Sequence, residues 1–104
     1  MSEFLNPKII TVEKPAEVHP SAVVHPKAQL ASGVVIGPGA VIGEEVEIGS
    51  QTWVGPNAVL DGPLKIGSRN KIFPGACLGL EPQDLKYKGA STEVIIGDGN
   101  TIRE

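Results

Sequence analysis

The sequence predicts an all-β solenoid, and three observations carry that reading. Glycine and proline punctuate the chain so densely that the longest runs free of both lie between Pro7 and Pro15 and between Gly89 and Gly97. Either residue inside a helix costs roughly 1 to 3 kcal/mol relative to Ala, which excludes bundles and coiled coils, whereas short strands fit between the breaks. The aliphatic residues are mainly β-branched, 11 Val and 10 Ile against 7 Leu, the kind that suits a pleated surface. The third observation is a six-residue repeat. Stepping by six from Val12 gives Val18, Val24, Leu30, Ile36, Ile42, Ile48, Val54, Leu60, Ile66, Ile72 and Leu78, all aliphatic.

Six is a multiple of the strand period of two and does not fit the helical period of 3.6, so each large aliphatic points the same way. One turn cannot bury its own aliphatic, whereas turns stacked about 4.8 Å apart bury a continuous ladder. Four residues after each aliphatic stands a mostly small residue, Ala16, Ala22, Ala28, Ala40, Ala58 and Ala76 among them. Gly follows the aliphatic at 37, 43, 49, 55, 67 and 79. These glycines are expected to keep the bends uncrowded and to permit positive φ. Gly-Pro-Gly at 37–39 and Gly-Asp-Gly at 97–99 read as turn elements of the repeat and not as phosphate loops, since neither opens a helix.

In chain order, residues 1–11 form an N-terminal extension and 12–104 the solenoid domain. The phase holds to Leu78 and resumes at Ile96, but Asp84 and Ala90 break it between, so 79–93 is expected to leave the wall as a loop. That loop reads GLEPQDLKYKGASTE. Gln83, Asp84, Lys86 and Tyr87 place an amide, a carboxylate, an ammonium and a phenol within five residues, the donor and acceptor inventory for a sugar or polyol. A solvated surface loop is the plainer alternative.

Net charge is −3 and the four aromatics, Phe4, Trp53, Phe73 and Tyr87, are not interleaved with basic residues, which argues against nucleic acid or an anionic membrane as partner. Cys77 is the single cysteine and the histidines number two, too few for a zinc set; Cys77 reads as a wall residue and Trp53 as a packing residue on an outer surface. The N-terminus has neither a basic segment nor an apolar run of signal-peptide type, so a cytoplasmic location is expected. His19 and His25 each follow an aliphatic and precede Pro, at one hexad position on adjacent faces, and read as surface turn residues. Three histidines meeting across a trimer, as in γ-type carbonic anhydrases, is the alternative weighed for them.

The Ile/Val-Gly-x-x-small unit resembles the hexapeptide-repeat acyltransferases, and that resemblance implies a left-handed parallel β-helix of about five coils, three hexads to the coil. The run GxxxQDLKYxG followed by IGDxNxIRE is similar to the N-terminal part of the UDP-N-acetylglucosamine acyltransferases that open lipid A biosynthesis. It implies substrate contacts for Gln83, Asp84 and Lys86, acyl carrier protein as donor, no cofactor, and a trimer in which Val41, Trp53, Val59, Phe73 and Cys77 are partly covered. It also implies a general-base histidine in the part of the family sequence that follows the IRE segment, beyond the position of Glu104, so that this chain alone is expected to be inactive. A non-catalytic β-helix scaffold is the alternative, and end-to-end association through the last coil, Ile102 to Glu104, is expected of either.

Overall fold

The computed structural model describes residues 14–79 and 93–103. Thirteen short strands follow one another: β1 (Glu17–Val18), β2 (Val23–Val24), β3 (Gln29–Leu30), β4 (Val35–Ile36), β5 (Val41–Ile42), β6 (Val46–Ile48), β7 (Trp53–Val54), β8 (Val59–Leu60), β9 (Leu64–Ile66), β10 (Lys71–Ile72), β11 (Cys77–Leu78), β12 (Val94–Ile96) and β13 (Thr101–Ile102). They form three parallel sheets, the walls of a prism. Wall A is β1-β4-β7-β10-β13, wall B is β2-β5-β8-β11 and wall C is β3-β6-β9-β12. The described residues thus make four full coils and one further strand, slightly fewer than about five. Val12 and the extension before it lie outside the described residues. So does Glu104: the last coil, expected to run to that residue, is described as far as Arg103.

Partners across a wall are 18 residues apart, as in Val18↔Ile36, Val24↔Ile42 and Leu30↔Ile48. After Leu78 the spacing becomes 30, in Ile66↔Ile96 and Ile72↔Ile102. The difference, 30 − 18 = 12, is two hexads inserted without disturbing the inward phase.

The strands are short because each wall is one hexad wide. Within a hexad the residue at the aliphatic position and the one two before it point inward, and the residue between them points out. Hence Ile36, Ile42, Ile48, Val54, Leu60, Ile66 and Ile72 are buried, with Val34, Ala40, Val46, Thr52, Ala58, Leu64, Asn70 and Ala76 beside them. Each fully buried Val, Leu or Ile contributes about 1.5 to 3 kcal/mol.

The repeated glycine does a different task from the one expected. A Cβ on Gly49 would lie 2.5 Å from the carbonyl carbon of Gly67 in the next coil, and one on Gly55 would lie 2.8 Å from the nitrogen of Pro74. These residues are glycine so that coils can stack closely. Among the glycines that follow an aliphatic, positive φ is found at Gly79 alone; elsewhere it falls two residues later, at Gly33, Gly39, Gln51, Asn57, Arg69, Gly75 and Gly99. At Gly37-Pro38-Gly39-Ala40 the Ala40 N–H reaches the Gly37 carbonyl at 3.3 Å. With Pro second and a positive φ third, this is a type II turn.

Candidate functional site

The corner from wall B to wall C is where the chain leaves the repeat. Its second and third crossings use three residues each, 43–45 and 61–63, whereas the fourth runs from Leu78 to Val94. Both stems of this excursion rest on the segment 61–65 of the coil below. Gly79 has φ +75°, and a Cβ there would collide with the Asp61 carbonyl oxygen and touch the Leu64 side chain. On the return, the Val94 N–H donates to the Pro63 carbonyl at 3.1 Å. Glu93 faces Lys65 at 3.7 Å, both half exposed, an ion pair worth at most about 1 kcal/mol. Backbone contact, more than charge, sets where the stems stand. Gln83, Asp84 and Lys86, with Tyr87, lie outside the described residues. The same holds of Glu104, the residue after which the resemblance sets the general-base histidine, so that expectation rests on the family sequence and on no geometry described for this chain.

The outward residues differ from wall to wall. Wall B presents an apolar ladder, Val23, Val41, Val59 and Cys77, in register down the sheet. Wall C presents Gln29, Glu47, Lys65 and Ile95. Wall A carries Trp53 edge-on to Phe73, ring centroids 6.4 Å apart, with the Arg103 guanidinium 4.3 Å above the Phe73 ring. The structure therefore brings Val41, Val59 and Cys77 together on one face and sets Trp53 and Phe73 on another.

His19 and His25 directly follow β1 and β2, which stand on adjacent walls as expected. The Nδ1 atoms accept backbone N–H groups two residues on, from Ser21 at 3.1 Å and from Lys27 at 3.0 Å. Both rings act as turn caps. Among the described residues no group of three or more His, Cys, Asp or Glu is placed to hold a metal ion, and no helix is long and apolar enough to cross a membrane.

A polar ladder was not anticipated from the sequence. Thr52 and Asn70 are buried one above the other where wall C turns into wall A. Thr52 Oγ1 donates to the Gly67 carbonyl at 2.9 Å and accepts the Asn70 N–H at 3.3 Å. Asn70 Nδ2 donates to the Gly97 carbonyl at 2.8 Å, and its Oδ1 accepts the Asn100 N–H at 2.6 Å. Two polar residues eighteen apart at an inward position were the available signal. Apart from a second Asn70 Nδ2 bond to the Ser68 carbonyl of its own turn at 3.4 Å, their polar reach is spent joining coils, so this ladder is structural.

Fold and repeat together define a hexapeptide-repeat parallel β-helix, and the bacterial transferase hexapeptide family (six repeats) matches residues 15–50. The acyl-carrier-protein:UDP-N-acetylglucosamine O-acyltransferase of Myxococcus xanthus is 58% identical over 89 residues, 86% of this chain and 34% of that protein. The enzyme of the same name from Neisseria meningitidis serogroup B is 60% identical over 87 residues, 84% of this chain and 34% of its own length. A crystal structure of UDP-N-acetylglucosamine acyltransferase superposes with a TM-score of 0.80 at 43% identity, covering 85% of this chain and 34% of that one. The chain is similar to these acyltransferases and spans about a third of the length of the curated relatives it matches.

Proposed function

We propose that this chain is the β-helix portion of an O-acyltransferase that moves an acyl chain from acyl carrier protein to the 3-hydroxyl of UDP-N-acetylglucosamine, opening lipid A biosynthesis in the cytoplasm. The observation that carries the reading is identity of 58% sustained over 86% of the chain. In the reaction the sugar oxygen bonds to the thioester carbonyl carbon, its proton passes to a general base, and the carrier thiol departs. Gln83, Asp84 and Lys86 hold the sugar and the acyl oxygens, presented by stems fixed on segment 61–65.

Neither His19 nor His25 is the base within one chain. A base must come within about 3 Å of the hydroxyl, and both histidines lie three coils below the stems, roughly 14 Å along the prism at the usual strand spacing. The base is a further histidine that these 104 residues do not contain, so the chain alone does not turn over. The apolar ladder of wall B supports side-by-side packing of three prisms, with Trp53 and Phe73 of wall A at a second contact.

A chimera tests the proposal: this chain replaces the homologous third of the Neisseria meningitidis enzyme, and transfer to UDP-N-acetylglucosamine is assayed. Transfer is expected, and Asp84→Ala or Lys86→Ala should each lower it more than about tenfold, since positioned polar groups are worth that much in a closed site. A folded chimera without transfer, or full activity after both substitutions, would favour a scaffold role.

A further inference from the structure

Gly79 is the point at which the excursion leaves wall B, and the backbone beneath it is close. The Leu78 carbonyl accepts the Asp61 N–H at 2.9 Å. One residue on, Gly79 turns with φ +75°, and a Cβ added to it would collide with the Asp61 carbonyl oxygen while meeting the Leu64 side chain at 3.4 Å. At Gly33 and Gly39, where φ is also positive, the nearest atom to such a Cβ belongs to the side chain of Gln51 or Asn57, which can swing aside. A carbonyl can move only with its backbone, and here that backbone is held from below. Asp61 Oδ1 accepts the Gly62 N–H at 2.9 Å. A Cβ on Gly43 would strike the same oxygen, and a Cβ on Gly62 would strike the Glu45 carbonyl. The Leu64 N–H donates to that Glu45 carbonyl at 2.9 Å. Segment 61–65 is thus a fixed floor, and only glycine stands on it at position 79 without displacement.

We infer that Gly79 is a positioning residue for acyl transfer: it sets the direction in which the chain departs from the wall, and through that the reach of Gln83, Asp84 and Lys86 to the sugar. The inference rests on the acyltransferase reading proposed above. The two stems are not equivalent. On the return, Val94, Ile95 and Ile96 pair with Leu64, Lys65 and Ile66, so the ladder itself restores the path. On departure the last ladder pair is Leu78 with Leu60, one residue before the turn at Gly79. Gln83 follows Gly79 by four residues, whereas Glu93 follows Lys86 by seven, so a displacement at the first stem reaches a polar group across fewer bonds. A side chain at position 79 lifts the departing chain by on the order of 1 Å, and a shift of that size costs up to about a hundredfold where groups must be held in place.

The test is kcat/KM for UDP-N-acetylglucosamine in the chimera described above, per folded chain. Gly79→Ala adds both left-handed strain and the collision; Gly79→Asn tolerates that φ and so isolates the collision. Each should lower kcat/KM roughly tenfold to a hundredfold. Gly33→Ala, at φ +73° on a corner that bears no excursion, should lower the urea midpoint and leave kcat/KM unchanged. A double-mutant cycle then separates positioning from stability. In an Asp84→Ala, Lys86→Ala background, Gly79→Asn should bring little further loss, since residues that act as a unit are not additive. A merely structural role would shift the urea midpoint equally in both backgrounds and leave kcat/KM of the folded chain alone. The inference is overturned by a Gly79→Asn chimera with the parent's kcat/KM, or by a full additive loss in the doubly substituted background. Should Asp84→Ala and Lys86→Ala themselves be silent, the acyltransferase reading of these residues fails and this inference with it, an outcome distinct from the other two.

Discussion

Where wall A turns into wall B the inward position before the strand holds Ala22, Ala40, Ala58 and Ala76, while the turn from wall C into wall A holds Ala16, Val34, Thr52, Asn70 and Asn100 at the same position. The hydrogen bonds explain the contrast. In the first corner the alanine N–H is satisfied inside its own turn, by the carbonyl three residues back: Ala22 to His19, Ala40 to Gly37, Ala58 to Gly55 and Ala76 to Phe73. No side chain is needed, and a methyl fills the space. In the second corner the N–H groups of Asn70 and Asn100 go to a side-chain oxygen one coil back, Thr52 Oγ1 and Asn70 Oδ1. One hexad thus closes in two ways, and the inward residue records which donor the turn leaves over.

Exchanging the two kinds of residue is the strongest way to break this contrast. Ala58→Asn puts an amide into a fully buried site, in the inward column of Ala40 and Ala76, which offer only methyl groups. Overpacking and an unsatisfied polar group together should cost about 3 to 5 kcal/mol, seen as a lower midpoint in urea unfolding. Asn70→Leu keeps the branching of the side chain, with somewhat greater bulk, but strips partners from the Asn100 N–H and the Gly97 carbonyl, and should cost about 2 to 3 kcal/mol by the same measurement. An Asn70→Leu chain as stable as the parent would show that the ladder is dispensable. The smallest effect sharpens the turn geometry itself: Gln51 holds φ +59° without being Gly or Asn, and Gln51→Gly should raise stability by about 0.5 kcal/mol, the left-handed cost relieved less the entropy glycine adds.

The prism was legible because its inward aliphatics repeat every six residues, whereas wall identity repeats only every eighteen. That is why Trp53 and Phe73 could be grouped with Val41, Val59 and Cys77 as outward apolar residues although they stand on a different wall. The excursion was legible through Asp84 and Ala90 alone, because an insert of twelve residues leaves Ile96 in phase. Glycine after the aliphatic looked like a turn residue; only the approach of Gly49 to Gly67 shows that stacking requires it. Positive φ at Gln51 and Arg69 had no sequence signal, since neighbouring coils impose it. Of the candidate site, Gln83, Asp84 and Lys86 rested on family resemblance, and the geometry adds the two stems and the segment 61–65 beneath them.

The change of strand spacing from 18 to 30 has a bearing on how the prism assembles in time. Each coil adds by closing a chain segment onto the coil already formed, and closure entropy grows as (3/2)RT ln n. Closing thirty residues in place of eighteen therefore costs roughly 0.5 kcal/mol more. That surcharge falls once, on β12, since β13 follows it after only four residues. A solenoid of equal coils could nucleate anywhere and grow in both directions; this one has a preferred order, with β11 in place on wall B before walls C and A receive β12 and β13.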